Sequence, residues 1–102
     1  MKKTFSLRVE GKNPDRVLDA TKHEIRKYIK RERRRTLPEG VDFWDFDCRF
    51  GASEDTAQIA HIAELTPLID TLVQGGGIAF YVEIIAKPGH RRPREQGDEA
   101  AD

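Results

Sequence analysis

The stretch RKYIKRERRR, Arg26 to Arg35, sets seven positive charges against one glutamate, Glu32, within ten residues; Lys22 lies one helical turn upstream. Cations at this density do one kind of chemistry well. Each Lys or Arg beside a phosphate releases condensed counterions and adds affinity that ignores sequence. Arginine also grips phosphate with two parallel hydrogen bonds. Of the eight cations Lys22, Arg26, Lys27, Lys30, Arg31, Arg33, Arg34 and Arg35, five are arginine.

On a helical wheel these eight cover nearly all the circumference left by an apolar stripe of Val17, Leu18, Thr21, Ile25, Tyr28 and Ile29. Only Glu24 and Glu32 interrupt them. A solvated helix ordinarily mixes signs, because opposite charges one turn apart help by ~0.2–0.5 kcal/mol and like charges cost as much. The helix dipole favours cations at a C-terminus by ~0.3–1 kcal/mol each, which accounts for a few of them. The candidate polyanion-binding set is therefore Lys22, Arg26, Lys27, Lys30, Arg31, Arg33 and Arg34. Lys22, Arg26, Lys30, Arg33 and Arg34 are expected along one outward flank. Arg91, Arg92 and Arg94 would extend it. The competing readings are a solubilising face, a face paired with an acidic segment of this or a neighbouring chain, and a contact for an acidic protein.

A second constellation is acidic. DFWDFD places Asp45 and Asp47 on one side of a strand, with Asp42 just before it. Carboxylates two apart on a strand lie close enough to share a cation or raise one another's pKa. His61 joins them across a hairpin if the odd positions of the third strand face outward, giving a weak candidate metal or proton-transfer site. If those positions face inward, His61 is a core histidine. A charged, solvated strand is the plainer alternative. Other chemistry finds no support. Cys48 shares a face with Trp44 and Phe46, as a small core residue does. His23 and His90 have no visible partner. Gly75 to Gly77 follow a helix and precede a strand, the reverse of a phosphate-cradling loop. No nucleophile–base pair stands out, so an enzyme is the less favoured class, and no cofactor is expected.

These residues need a scaffold. A chain of 102 residues with 35% charged side chains suits one soluble domain with a modest core. The charge is sorted: residues 21–36 sum to +6 and residues 37–55 to −5, although the total is zero. A single cysteine excludes an internal disulfide and, with no apolar stretch behind the first lysines, points to a reducing cytoplasmic setting. No stretch is long and apolar enough to span a bilayer.

KTFSLRVE alternates as a half-buried strand. Asn13, Pro14 and Asp15 open a helix that is expected to run to about Arg34 and stop at TLPEG. VDFWDFDCRFG alternates strongly, with Trp44, Phe46, Cys48 and Phe50 inward. Gly51 to Asp55 read as a hairpin loop, and TAQIAHIAE as the third strand. Thr66 and Pro67 start a short helix. IAFYVEIIAK is the last strand, stopped by Pro88 and Gly89. The order predicts an α+β domain over residues 1–89, of ferredoxin-like βαββαβ plan, with two helices on one face of a four-stranded antiparallel sheet. The expected strand order is 4-1-3-2. Residues 90–102 lack apolar side chains and read as a flexible charged tail.

RKYIKRERR, LPEGVDFWDFDC, HIAEL and FYVEIIAKPGHR together resemble a family of small bacterial proteins that carries only a domain-of-unknown-function label. The resemblance spans about residues 2–91. It implies a bacterial, cytoplasmic protein and brings no activity, cofactor or site residue with it. The expected partners are RNA or DNA on the basic helix. The rival is a second copy of the chain docking on the open sheet face through Phe43, Tyr81 and Ile85.

Overall fold

The computed structural model describes residues 1–91. The six elements occur in the predicted order: β1 (Lys2–Ser6), α1 (Pro14–Arg33), β2 (Phe43–Gly51), β3 (Gln58–Ala60), α2 (Leu65–Gln74) and β4 (Ala79–Gly89). Short 3-10 turns at Glu54–Thr56 and Ile62–Glu64 flank β3. The strands form one antiparallel sheet, giving the α+β, ferredoxin-like arrangement of strands and helices.

The strand order differs from the expected one. It is β1-β4-β2-β3, so β4 and β2 are central and β1 is an edge. The reason is apolar content. Phe80, Val82 and Ile84 of β4 are all 0% exposed, and its outward Tyr81 is buried as well. β1 supplies one buried side chain, Phe5, among Lys2, Lys3, Thr4 and Ser6. The strand able to bury both faces takes the centre, and the charged strand takes the rim, where a lysine also discourages stray pairing.

The inward face of the sheet carries Phe46 and Cys48 from β2, Phe80, Val82 and Ile84 from β4, and Phe5. Phe80 lies between Phe5 and Phe50, at ring-centroid distances of 5.4 and 5.2 Å. Both helices cover this face. α1 contributes Leu18, Ile25 and Ile29, and α2 contributes Leu65, Ile69, Leu72 and Val73. α1 starts where predicted: the Asn13 side chain accepts the Asp15 N–H at 2.8 Å, and Pro14 occupies the first turn. It ends one residue early, with Arg34 as its C-cap.

Other boundaries also move. β3 is three residues, not nine, because the chain turns at His61. There the His61 N–H donates to the Glu64 carboxylate at 2.8 Å, and Nδ1 of the His61 ring accepts the Ala63 N–H at 3.0 Å. This reciprocal pair starts a 3-10 turn that runs into α2 at Leu65, just ahead of the expected Thr66. β4 continues through Pro88 and Gly89. β1 pairs with β4 only up to Glu83, so Pro88 has no neighbour on that side to miss its absent N–H. Gly51 closes β2 rather than opening the loop. A Cβ there would stand 2.6 Å from the Ala57 Cα, so only glycine lets the returning loop approach.

Two stability outcomes follow from this packing. Phe80→Ala is expected to cost about 3–5 kcal/mol in urea unfolding, the usual price of an aromatic cavity. Gly51→Ala is expected to cost about 1–3 kcal/mol, since the clash is with backbone that must shift as a unit.

Candidate polyanion-binding face

α1 is anchored by one side only. Ile25 is buried, Ile29 and Tyr28 are half-buried, and the opposite side faces solvent. The Tyr28 hydroxyl accepts from the chain's own ammonium group at 3.1 Å, which ties the middle of the helix to the start of β1.

The cations divide into two groups. Lys22, expected on the outward flank, is turned into the fold. Its side chain is 16% exposed and bridges to Asp70 of α2. The turn of the wheel that carries Lys22 is where the two helices approach, and a carboxylate waits there. Arg35 pairs with Glu32 at 2.7 Å. The other glutamate of the helix, Glu24, is taken by Lys3 of β1 at 2.8 Å. Both glutamates that interrupt the basic face are thus engaged. Arg26, Lys27, Lys30, Arg31, Arg33 and Arg34 are exposed and have no carboxylate within bridging distance among the described residues.

Three arginines at the C-terminal end of the helix rest on aromatic rings. The guanidinium of Arg31 lies 5.4 Å from the Tyr28 ring centre, Arg33 5.6 Å from Phe46, and Arg35 4.9 Å from Trp44. Trp44 also donates its indole N–H to the Arg35 carbonyl at 3.0 Å. The rings hold these guanidinium groups in place, and Arg31 and Arg33, unlike Arg35, keep their donors for an anion, so less side-chain freedom remains to be lost on binding. The Tyr28–Arg31 spacing of three was open to sequence reasoning. The contacts with Phe46 and Trp44 were not, because they depend on how β2 passes beneath the end of α1.

Asp45, Asp47 and His61 line one open hollow beside Arg49 and Glu83, but their side chains are engaged by other partners. Asp45 accepts its neighbour's N–H, from Phe46, at 2.8 Å, and Asp47 pairs with Lys87 at 2.6 Å. The β2–β3 register pairs Cys48 with Ala60 and Arg49 with Ile59. The odd positions of β3 therefore face outward, with Ile59 90% exposed. His61 is exposed just past the strand, its Nδ1 occupied by the Ala63 N–H. No group of three or more His, Cys, Asp or Glu side chains suited to a metal occurs among the described residues. Cys48 is buried, and desolvation pushes its thiol up to about 11, with Asp47 and Asp45 adding to the rise.

The outer sheet face also departs from expectation. Phe43 and Tyr81 lie on central strands, not on edges. Tyr81 is only 4% exposed. Its hydroxyl donates to Glu83 at 2.8 Å, and Glu83 in turn takes Arg49 at 3.0 Å. Desolvation is the larger cause that lifts the Tyr81 hydroxyl to about 12, and the bond to Glu83 adds to it. The same bond holds the Glu83 carboxyl below its ordinary range, against its own burial and with help from Arg49. A stacking platform for bases is therefore absent here. Tyr81 is enclosed, and Asp45, Asp47 and Glu83 would repel phosphate. Arg8 is exposed and lies beyond the end of β1, outside the sheet. Arg91 is exposed, and its N–H donates to Asp42 at 2.7 Å. Arg92 and Arg94, the expected extension of the patch, lie outside the described residues.

The family model described as "Family of unknown function (DUF6172)" matches residues 1–95. The chain belongs to that family. No curated protein and no solved structure gives a significant match. Membership agrees with the resemblance carried by the LPEGVDFWDFDC and FYVEIIAKPGHR strings. No helix among the described residues is long and apolar enough to cross a membrane.

The Tyr81–Glu83 pair has a pH signature. The lowered Glu83 pKa contributes stability that is present above the ordinary carboxylate range and lost as pH falls through the lowered folded value. The raised Tyr81 pKa contributes stability that is present below the ordinary tyrosine range and lost as pH rises through about 12. Tyrosinate absorbance in Glu83→Gln should show one of the two tyrosines ionising at lower pH than in the parent protein, moving toward the ordinary value of about 10.

Proposed function

We propose that this is a small cytoplasmic binding protein that contacts RNA or DNA, or a polyanion of like charge density, through its phosphates. The contact surface is the exposed basic side of α1. One observation carries the reading. Six cations, Arg26, Lys27, Lys30, Arg31, Arg33 and Arg34, stay in solvent with no carboxylate partner among the described residues. The two acids of their own helix that might have neutralised them are engaged by Lys3 and Arg35. A merely solubilising face gains nothing from excluding acids, whereas a phosphate-binding face does. The opposite sheet face balances Asp45, Asp47 and Glu83 against Arg49 and Lys87, so the unpaired positive charge lies on the α1 side and would orient an approaching polyanion there.

Fluorescence anisotropy with labelled oligonucleotides tests this reading. The triple variant Arg26→Glu, Lys30→Glu, Arg33→Glu should lose binding while its far-ultraviolet circular dichroism and urea midpoint stay close to the parent's. With about five phosphate contacts, log affinity should fall against log salt with a slope of roughly −3.5 on single strands or −4.5 on duplex. Binding retained by the triple variant removes the proposal.

A second reading, assembly through the sheet, is favoured by Ile59. It projects from the short edge strand β3 at 90% exposure, and Ile85 is partly exposed two strands away on β4. Tyr81, expected in that apolar surface, is enclosed and takes no part. Sedimentation equilibrium should then show a dimer that Ile59→Lys dissociates. A monomer at all concentrations sets this reading aside.

A further inference from the structure

The cations of α1 do not lie on a flat face. Arg26, Lys30 and Arg34 follow one another at intervals of four and form a ridge that borders a trough on each side. At 1.5 Å per residue, successive members of the ridge stand about 6 Å apart along the helix axis. The outer trough is lined by five cations and one histidine, with Lys27, Arg31 and His23 completing it beside the ridge. The inner trough has a different chemistry. It is a groove of about 660 Å³ between α1 and residues 61–66. Its floor is aliphatic, made by Ile25, Ile29, Ile62 and Leu65. Arg33 joins the ridge on its rim, held against the Phe46 ring. His61 stands on the opposite wall. Because Nδ1 of that ring accepts the Ala63 N–H, the neutral ring carries its proton on Nε2, which leaves a donor for a ligand.

A ligand that fits both troughs has a charge on each repeating unit and an apolar face beside the charge. A duplex offers the first and conceals the second, since its bases are paired and stacked. A single strand offers both. An acidic amphipathic peptide helix would fill the inner groove but would leave the cations of the outer trough without a partner. Resting on the polyanion reading above, we infer that the groove between α1 and residues 61–66 selects single-stranded over double-stranded nucleic acid. Phosphates lie along Arg26, Lys30, Arg34 and Arg33, and a base is laid on the aliphatic floor.

The test compares a single-stranded oligonucleotide with the duplex of the same sequence, by anisotropy at near-physiological salt. It uses the parent protein and Ala63→Leu. Ala63 is exposed at the groove, and leucine there fills it without changing any charge. The parent should bind the single strand about tenfold or more tighter than the duplex, and Ala63→Leu should remove that difference while leaving duplex affinity within about twofold. If folding of Ala63→Leu is in question, its urea midpoint and its unchanged duplex affinity report on it together. Equal affinity for the two forms, unaltered by Ala63→Leu, overturns the groove inference and leaves the α1 reading standing. Absence of binding to either form, in the parent, overturns both. Displacement of the bound single strand by poly-glutamate at equal charge concentration would overturn the nucleic-acid assignment in favour of an acidic protein surface.

Discussion

β4 runs between β1 and β2, and the rest of the molecule depends on the burial of its inward side chains. Phe80, Val82 and Ile84 have no contact with solvent, and every other element packs toward them: Phe5 from the edge strand, Phe46, Cys48 and Phe50 from β2, and the apolar sides of both helices. The last strand in the chain is thus the centre of the core. The domain is completed only when residues 79–89 are in place, because without them β1 has no neighbour and the sheet is reduced to the β2–β3 hairpin. A small domain has few places to recover from a core defect.

That core orients α1 and thereby decides which charges are spent inside the fold. With Ile25 and Ile29 drawn down onto the sheet, Lys22 is carried to the seam between the helices and meets Asp70. Glu24 is carried to the edge strand and meets Lys3. From Arg26 onward, what remains outward is almost wholly cationic. Repulsion along that face costs a few tenths of a kcal/mol per neighbouring pair, a load the buried side can carry. Packing of arginine forks on Tyr28, Phe46 and Trp44 partly fixes these charges in place, so the face is both cationic and partly preorganised.

The opposite side of the sheet has the reverse character. Asp45, Asp47 and Glu83 stand among Arg49 and Lys87, and most of these charges are satisfied within the sheet itself. Tyr81 is enclosed and hydrogen-bonded there, which removes an aromatic from the surface and fixes the Glu83 carboxylate. The apolar side chains that remain exposed on this face are Ile59 at the short edge strand and the less exposed Phe43 and Ile85. The two sides of the molecule therefore differ in character: exposed, unpaired cations on the helical side, and paired charges with separate apolar side chains on the other.

The sequence alone determined the elements and the character of each face. Period-two alternation in DFWDFDCRF marked Trp44, Phe46 and Cys48 as inward and the aspartates as outward. Asn13 and Pro14 marked the start of α1, and the charge run from Arg26 to Arg35 marked its wet side. These are local properties, set by propensity and by which side chains tolerate water. The tertiary structure decided everything that rests on relative placement. Strand order turned on which strand could bury both faces, a comparison between β1 and β4 that no window of sequence contains. The end of β3 turned on a capping exchange between His61 and Glu64 that looks, in sequence, like continued alternation. On a helical wheel Lys22 stands beside the apolar stripe, about 80° from Lys30, but only α2 decided that Asp70 would meet it there. The inner groove exists only because residues 61–66 return beside α1, distant in sequence and adjacent in space.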